Sequence, residues 1–481
     1  MDYTQAASAK TAIASVPEQS KPTLVRGISL LDATLLLVGG TIGSGIFLTS
    51  NDVAAVTRIP WLFMLAWIAG MGVSALASLS VAELGAMYPE AGGQYIYLRE
   101  AFGEYAAFLY GWMIFTINGS GSNAAIAAGF AAYSGALIPG LDPSHAVLTW
   151  RAWTLTGGQL IAISALVFLT IINIVGLRPA VMLQNVATWT KFAAIAAFLL
   201  LGFAFGHGSW SHFDSPPVHV PATTLLSGFG VALIAVFWVY DGWVYITWVA
   251  GEVKRPERNI PRALIASVCI IGGIIIGTNI LYVYAMPMAV MRTQPTVAES
   301  AARMLFFSSA GRWLGALVAI SCFGAAASCV MSGARVYYAM ARDGVFFAKL
   351  AEVHPRWRTP VFSLIVQCVW SCALVLSGRY EQLFTYVMFI SVIAYALAAS
   401  SVFVLRRTQP QHPRPFLCPG YPWVPLLYCT ICGVWALNTL WQRPKESLAG
   451  VGIMLVGTPA YWYWRRQQRA QRNPTLDPAL R

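Results

Sequence analysis

Long apolar stretches, separated by short polar segments, run through most of the chain. Each stretch has about 20 residues, the length that an α-helix needs to cross the hydrocarbon core of a bilayer. The stretches are centred near residues 38, 74, 117, 167, 193, 236, 272, 326, 369, 393, 431 and 456. The pattern therefore predicts an all-α polytopic membrane protein with about twelve transmembrane helices.

The first apolar stretch is rich in small residues. It reads VGGTIGSGIFLTS from Val38 to Ser50, with glycine at positions 39, 40, 43 and 45. One interpretation is that the helix unwinds here, because backbone groups freed inside a membrane must line protein or a polar cavity and are able to bind a polar ligand. The other is that small residues let neighbouring helices pack closely. On this stretch alone both interpretations stay open.

The sixth apolar stretch is interrupted by an acidic residue. Asp241 and Gly242 lie in the middle of FWVYDGWVYITWVAGE, which runs from Phe237 to Glu252. A carboxylate at this depth is costly unless it meets water, a cation or another partner. Gly43 and Asp241 each lie in the middle of the first helix of a five-helix block, and the sixth helix is expected to run opposite to the first. An inverted repeat requires that arrangement.

Two further spans carry polar residues at mid-membrane depth. Lys191 lies well inside the fifth span, where a lone lysine costs roughly 3 kcal/mol on insertion scales, so we expect it to face the interior of the bundle. The third span carries Asn118, Ser122 and Asn123. These three side chains either line a cavity or form hydrogen bonds between helices.

Composition and charge agree with membrane insertion and argue against nucleic acid as a partner. Hydrophobic residues make up 57% of the chain and charged residues 10%, and the mean hydropathy of +0.62 lies outside the range of a soluble domain. The net charge of +12 comes from 31 basic and 19 acidic residues. Most of the basic residues fall in segments assigned to the cytoplasm, as the positive-inside rule describes. We therefore expect a multi-pass protein in the lipid bilayer of the plasma (inner) membrane, with both termini cytoplasmic.

Residues that carry chemistry do not form an enzyme or metal motif. All eight cysteines fall at or after Cys269, and the six histidines fall in predicted loops. The sequence has no Walker, HExxH or GxSxG motif, and only Asp241 and Lys191 are charged deep in the membrane. We expect no enzymatic activity, no cofactor and no metal. We also expect no disulfide-linked ancillary subunit, since no cysteine lies in an external segment.

Five pieces of sequence carry a family resemblance. They are GGTIGSGIF in the first span, YPEAGGQYIYLREAFG after the second, Lys191 in the fifth, FWVYDGW with AGEVKRPERNIPRA at the sixth, and ARVYYAMARDG after the eighth. With these pieces in this order, the chain resembles the amino acid, polyamine and organocation transporter superfamily, especially its bacterial L-amino-acid transporter-like branch.

The resemblance implies a leucine-transporter-like fold. That fold is a five-plus-five inverted repeat with two extra C-terminal helices, in which helices 1 and 6 are unwound. The two repeats would cover residues 27–205 and 206–405, and helices 11 and 12 would cover 406–464. Residues 1–26 would form a disordered cytoplasmic tail, and 465–481 a second cytoplasmic tail.

The resemblance also implies a substrate site. The backbone amides of Ile42, Gly43, Ser44 and Gly45 would hold the α-carboxylate of an amino acid, and carbonyls around Phe237, Trp238 and Asp241 would receive its α-ammonium group. Trp238 falls where such transporters place an aromatic gate, with packing against a neighbouring helix as the alternative. The Asp241 carboxylate either faces the cavity and favours cationic substrates, or caps the broken helix, in which case we expect neutral amino acids.

Lys191 matches a lysine that takes the place of a sodium ion in sodium-independent relatives. Its expected contacts are carbonyls of the first break and hydroxyls near Ser328. The expected function is secondary active transport of amino acids by alternating access without sodium, as an exchanger or as a proton-coupled symporter. The alternatives are a polyamine or organic cation transporter of the same fold, and an amino acid receptor that does not transport.

Overall fold

The computed structural model describes residues 22–135, 144–150, 153–214, 221–378, 380–442 and 444–472. Most of these residues are helical, which confirms the prediction of a polytopic α-helical protein. Most of the predicted N-terminal tail, and residues 473–481 of the predicted C-terminal tail, lie outside the described residues.

The helices are numbered here in chain order. They are α1 (Leu30–Thr41), α2 (Gly45–Leu48), α3 (Ser50–Thr57), α4 (Pro60–Met87), α5 (Gln94–Phe102), α6 (Glu104–Met113), α7 (Gly119–Gly135), α8 (Gly157–Val175), α9 (Leu177–Phe205), α10 (Ala222–Val239), α11 (Tyr245–Trp248), α12 (Pro256–Ala285), α13 (Met288–Met291), α14 (Val297–Leu305), α15 (Ala310–Arg342), α16 (Val361–Ser377), α17 (Tyr380–Thr408), α18 (Trp423–Gln442) and α19 (Pro444–Arg472). A π-helical segment, Ile114–Asn118, joins α6 to α7, and short 3-10 segments cover Trp210–Phe213, Ala250–Glu252 and Ala348–Ala351.

One element departs from the all-helical expectation. The strands β1 (Ala146–Trp150) and β2 (Trp153–Thr156) form an antiparallel hairpin between α7 and α8. The apolar pattern did not predict this hairpin, because segments of this length are too short to separate strand from loop by periodicity.

Eight helices in the described part of the chain are long and apolar enough to cross a bilayer. They are Leu30–Leu48, Pro60–Met87, Gly157–Val175, Leu177–Phe205, Pro256–Ala285, Ala310–Arg342, Phe389–Thr408 and Trp423–Trp441. Two shorter apolar helices, Thr223–Val239 and Val361–Ser377, lie in the predicted sixth and ninth spans. The multi-pass architecture is therefore confirmed, while the count of twelve helices stays a prediction.

Helices α1 and α15 lie at the centre of the bundle. Most residues of the span Leu30–Leu48 and of α15 are buried, whereas few residues of α18 are buried and this helix faces outward. α15 packs against α1, α7 and α9, and α1 packs against α9 and α12. Polar residues on the inner faces of α1, α9 and α15 are therefore surrounded by protein, which is what an intramembrane lysine requires.

Local sequence signals determine where helices α1 and α8 begin. At the start of α1, Ser29 and Asp32 form a capping box: the Ser29 N–H donates to Asp32 Oδ2 at 2.9 Å, and the Asp32 N–H donates to Ser29 Oγ at 3.2 Å. Thr156 and Gln159 form the same motif at the start of α8. Each box satisfies donors that a helix N-terminus otherwise leaves free.

The motifs that lie outside the spans meet at one end of the bundle. Arg99 donates to both carboxylate oxygens of Asp343, at 2.9 and 2.7 Å, and the Tyr95 hydroxyl donates to the same carboxylate at 2.8 Å. Arg335 Nε donates to Glu252 Oε2 at 2.7 Å, and both of these side chains are fully buried. These motifs therefore hold α5, α15 and the segment after α11 together.

Candidate functional site

The first span is interrupted at residues 42–44. α1 ends at Thr41 and α2 begins at Gly45. The Ile42 N–H donates to the Val38 carbonyl at 3.0 Å and the Gly43 N–H to the Thr41 carbonyl at 2.9 Å, so these two predicted donors are not free because the end of α1 uses them. The N–H groups of residues 44–46 have no backbone acceptor among the described residues. Free N–H groups at the start of a helix form a partial positive end that favours a carboxylate.

The sixth span is interrupted between Val239 and Tyr245, where α10 ends and α11 begins. The Phe237 and Trp238 carbonyls accept backbone hydrogen bonds, at 3.1 and 3.2 Å, from the two residues that begin the break. Within the described chain, the carbonyls of residues 239–241 accept none. The free acceptors therefore lie later than the sequence predicted for Phe237 and Trp238, and they include the predicted Asp241.

Glycines let the two breaks approach each other closely. A Cβ built on Gly242 would lie 1.8 Å from Thr41 Oγ1 and 2.6 Å from Thr41 Cα, so no other residue fits there without a shift of the backbone. A Cβ on Gly40 would lie 2.5 Å from the ring of Tyr245. A Cβ on Gly45 would lie 3.3 Å from the ring of Trp238. These contacts bring the donors of the first break opposite the acceptors of the second.

The two breaks and α7 enclose a cavity of about 50 Å³. It is lined by Gly40, Thr41, Gly43, Ser44, Gly45, Ser122, Ala125, Ile126, Trp238, Val239, Asp241, Gly242 and Tyr245. A cavity of this size holds roughly four water molecules, which is the scale of a small zwitterion. Five of the residues predicted to bind the substrate, at positions 43, 44, 45, 238 and 241, line it together.

Asp241 brings a carboxylate to this cavity. The Tyr395 hydroxyl, from α17, donates to Asp241 Oδ2 at 3.3 Å, while the buried Oδ1 has no hydrogen-bond partner among the described residues. None of the ion pairs formed by the described residues includes Asp241. The Asp241 carboxylate therefore has one oxygen, Oδ2, bound by a hydrogen bond, and the other, Oδ1, available to accept one from a ligand.

Lys191 lies behind the first break and is 2% exposed. Its ammonium group donates to the Gly39 carbonyl at 2.8 Å and to the Ile42 carbonyl. Gly39 lies in the last turn of α1 and Ile42 directly follows the helix, so neither carbonyl has an intrahelical donor. The ammonium group therefore satisfies the last carbonyls of α1, as the sequence predicted for carbonyls of the first break.

The hydroxyl that accompanies Lys191 differs from the predicted one. Ser321 Oγ donates to the Ile42 carbonyl at 3.0 Å, whereas Ser328 Oγ donates to the Gly324 carbonyl of its own helix at 3.3 Å. The reason is the register of α15 against α1. Ser328 lies beside Gly40, two residues before Ile42, and Ser321 lies two helical turns before Ser328, at the level of Ile42.

The other predicted residues divide between the cavity and its surroundings. Ser122 lines the cavity. Asn118 Nδ2 instead donates to Ser391 Oγ at 2.8 Å, and Asn123 is buried without lining the cavity. Phe237 lines a different, apolar cavity, so its side chain is not part of the candidate site.

Several residues of the site were not predicted from the sequence. Thr41 and Tyr245 line the cavity, Tyr395 binds Asp241, and Ser321 binds the Ile42 carbonyl. Thr41 and Tyr245 lie within the two interrupted motifs, so their place in the sequence could have identified them as site residues. Tyr395 and Ser321 lie on helices rich in similar residues, and nothing in the sequence separates them from their neighbours.

Comparison with known proteins adds an independent finding. A family model described as amino acid permease matches residues 28–456 of the chain. The chain is similar to the serine/threonine exchanger SteT of Bacillus subtilis (strain 168), with 29% identity over 450 residues, which cover 92% of this chain and 98% of that protein.

Two human proteins are similar at nearly the same level. The large neutral amino acids transporter small subunit 2 is 28% identical over 461 residues, covering 93% of this chain and 82% of that protein. The Asc-type amino acid transporter 1 is 28% identical over 471 residues, covering 96% of this chain and 87% of that protein. The similarity therefore extends over nearly the whole chain, including both breaks.

Proposed function

The chain belongs to the amino acid permease family, and from that premise we propose that it is a sodium-independent exchanger of small neutral amino acids that works by alternating access. Membership of a family of transporters makes it a transporter rather than an enzyme. Exchange and a neutral substrate are proposed because the similar proteins include a serine/threonine exchanger and a transporter of large neutral amino acids.

The observation that carries the proposal is the pairing of the two breaks around one cavity. The free N–H groups of Ser44 and Gly45 lie on one side of the cavity, and the free carbonyls of Val239 and Asp241 lie on the other. A zwitterion needs donors at its carboxylate and acceptors at its ammonium group, and opposed helix ends supply both. We assign the carboxylate to the N–H groups of Ser44 and Gly45, with Gly43 lining the cavity beside them, and the ammonium group to the second break, with Trp238 as the gate.

The size of the cavity favours a substrate with a small side chain. The space of about 50 Å³ is bounded by the rings of Trp238 and Tyr245. Because the backbone of the substrate would occupy most of it, glycine, alanine, serine and threonine fit better than aromatic amino acids. The proposal therefore favours the small members of the neutral class.

Lys191 supports independence from sodium. Its ammonium group already provides a positive charge to the Gly39 and Ile42 carbonyls. A sodium ion bound at the same carbonyls would be repelled by that charge in a medium of low dielectric constant. We therefore propose that Lys191 takes the place of the ion and stabilises the first break in the form that binds substrate.

The experiment is a competition panel in proteoliposomes. Counterflow of radiolabelled serine is measured against each proteinogenic amino acid, with and without sodium and at two pH values. The proposal expects competition by small neutral amino acids, no effect of sodium, and a rate that does not require a proton gradient. Absence of counterflow across the whole panel would overturn it, and a requirement for a proton gradient would favour symport over exchange.

Asp241 supports a second candidate substrate class, cationic amino acids. The carboxylate lines the cavity with one oxygen open to a donor. If it binds a substrate cation, Asp241→Asn should weaken competition by lysine, arginine and ornithine by roughly tenfold or more, since a hydrogen bond to a charged group contributes about 1.5–3 kcal/mol. An unchanged order of competition in that variant would leave the carboxylate with a structural role.

Polyamine transport can be distinguished from amino acid transport because polyamines lack the substrate carboxylate. Because the N–H groups of the first break have a carboxylate as their proposed ligand, decarboxylated analogues should compete poorly. Effective competition by cadaverine or agmatine, with none by the parent amino acids, would favour the polyamine alternative. Ligand-induced stabilisation of the protein without any flux would instead favour a receptor.

The proposal includes the wider architecture. We propose two five-helix repeats over residues 27–205 and 206–405, followed by helices 11 and 12 over 406–464, in the plasma (inner) membrane with both termini cytoplasmic. The chain is proposed to work without a disulfide-linked subunit. Seven of the eight cysteines lie in α12, α15, α16 and α18, and Cys418 lies in the segment before α18.

A further inference from the structure

A second cavity lies on the lipid-facing side of the bundle, separate from the candidate substrate site. It has a volume of about 430 Å³ and lies between α4, α10, α17 and α18. Its lining residues include Gly70, Gly230, Phe237, Val392, Val434 and Trp435. The lining is largely apolar, and the Thr430 hydroxyl at its edge already donates to the Leu426 carbonyl of its own helix at 2.8 Å.

This cavity lies at the depth of the lipid acyl chains. Gly70 and Gly230 follow the first residues of their helices, Pro60 and Ala222, by ten and eight positions. At 1.5 Å per residue they lie about 15 and about 12 Å into those helices, near the middle of a hydrocarbon core about 30 Å thick. Phospholipid headgroups do not reach this depth, so acyl chains surround the cavity.

The cavity opens toward the bilayer and not toward the centre of the protein. Val434, on its α18 wall, is 63% exposed, and α18 is the least buried of the eight long apolar helices. The lining carries few polar groups, among them those of Thr430, Asn438 and Trp435, so water finds few partners over most of the cavity. A hydrocarbon chain, in contrast, gains dispersion contacts with every wall.

We propose that this cavity binds one acyl chain of a membrane phospholipid, from the leaflet that contains Pro60 and Ala222, and that the bound chain regulates transport through α10. The second part rests on the proposed transport function. The first part concerns only lipid binding and stands apart from it.

Phe237 and Trp238 connect the two cavities. The Phe237 ring lines the lipid-facing cavity and lies 5.6 Å from the ring of Trp435, centroid to centroid. The next residue, Trp238, lines the candidate substrate cavity. An acyl chain packed against Phe237 would therefore resist any displacement of the end of α10 that also moves Trp238.

The α4 wall of the cavity leaves α10 little freedom to move. A Cβ built on Gly70 of α4 would lie 2.2 Å from Val236 Cγ1, so the two helices are already in close contact there. A change on the α18 side is therefore the one that alters the position of α10. Occupancy by a chain should stabilise the position of α10 described here.

The chain offers a matched pair of variants to test lipid binding. Gly230 lines the cavity, and a Cβ built there has no heavy atom within 4 Å. Gly433 on α18 is equally unobstructed but does not line the cavity. Gly230→Leu places a side chain inside the cavity, and Gly433→Leu places the same side chain outside it.

The binding test uses the full chain reconstituted in phosphatidylcholine liposomes with a phosphatidylcholine that carries a diazirine midway along one chain. After irradiation, the labelled peptides are mapped by mass spectrometry. We expect label on the peptides that contain Phe237 and Trp435 in the wild type and in Gly433→Leu, and background label there in Gly230→Leu. Equal labelling of these peptides in all three proteins, or background labelling in the wild type, would overturn the proposal.

A second variant that fills the cavity keeps the test decisive if Gly230→Leu does not fold. Thr430 is exposed on the α18 wall, so Thr430→Phe fills the same cavity from the opposite side. Retention of the wild-type elution profile and thermal unfolding midpoint is required of whichever variant is used. Wild-type labelling in a folded Thr430→Phe protein would contradict the proposal as strongly as it would in Gly230→Leu.

The regulatory part is tested by transport in bilayers with different acyl chains. The wild type and Gly433→Leu should change their exchange rate between saturated and unsaturated phosphatidylcholine, and Gly230→Leu should lose that dependence. If Gly230→Leu loses the label but keeps the dependence, the lipid site stands and its regulatory role is refuted. If the wild type transports nothing, the proposed function fails while the labelling test still decides the lipid site.

Discussion

At the residue scale, Gly242 determines whether the two breaks can meet. Its missing side chain leaves room for Thr41, whose Oγ1 would lie 1.8 Å from a Cβ at that position. Gly242→Ala should therefore separate the breaks, with a cost of roughly 1–3 kcal/mol for overpacking. We expect a lower thermal unfolding midpoint and loss of serine counterflow.

The matched control for Gly242 is Gly72 on α4. A Cβ there has no heavy atom within 4 Å, so Gly72→Ala adds the same methyl group without a clash. Its midpoint and transport rate should equal those of the wild type. Wild-type transport by Gly242→Ala would show that the close approach of the breaks is not needed.

Lys191 supports a second prediction at this scale. Lys191→Ala removes the donor to the Gly39 and Ile42 carbonyls, and each hydrogen bond to a charged group contributes about 1.5–3 kcal/mol. We expect transport to fall by roughly tenfold to a hundredfold, because 1.4 kcal/mol corresponds to a factor of ten. Initial rates of counterflow, measured on protein that remains monodisperse, check this.

The control for Lys191 is Lys349, an exposed lysine whose ammonium group lies 5.9 Å from the centroid of the Phe362 ring. Lys349→Ala removes a charge of the same kind far from the breaks and should leave counterflow unchanged. A rate for Lys191→Ala that equals the wild-type rate would remove this residue from the mechanism.

The sequence was sufficient for some residues of the site and insufficient for others. The cost of burying Lys191 and Asp241 made both residues candidates for the site without any structure. The choice of Ser328 over Ser321 depended on the register between α1 and α15, and spacing within one helix contains no information about that register. The free carbonyls of residues 239–241 likewise required the geometry of the break.

At the element scale, a buried ion pair joins the segment after α11 to α15. The Arg335 and Glu252 side chains are both fully buried and lie 2.7 Å apart. Glu252→Gln would leave a buried guanidinium group without its counter-charge, which costs roughly 3–5 kcal/mol. We expect a clear fall in the thermal unfolding midpoint of the purified protein.

A comparison pair is available on α14. Glu299 and Arg303 are also paired, at 3.1 Å, but the arginine side chain is 52% exposed. Glu299→Gln should change the midpoint little, since exposed pairs contribute about 0–1 kcal/mol. Equal shifts in the two variants would contradict a special role for the buried pair.

The apolar pattern predicted elements better than it predicted their interruptions. It identified the long spans, because hydrophobic length is a direct requirement of the bilayer. It gave no sign of the β1–β2 hairpin, and it placed the third span without the π-helical segment Ile114–Asn118. Both features depend on local hydrogen bonds that composition does not encode.

At the scale of the whole molecule, the family motifs outside the spans form ion pairs that join distant parts of the chain. The pairs Arg99–Asp343 and Arg335–Glu252 connect motifs that are far apart in sequence. Their order along the chain predicted the family, and the match over residues 28–456 confirms it. The substrate was not predictable to the same degree, since it depends on a few side chains in a cavity of about 50 Å³.

The central claim is that the chain exchanges small neutral amino acids through the cavity between the two breaks. The most direct measurement is uptake of radiolabelled serine into sodium-free proteoliposomes that contain either unlabelled serine or no amino acid. The account predicts rapid uptake only into the vesicles loaded with serine. Uptake that is independent of internal amino acid, or that requires sodium, would contradict it.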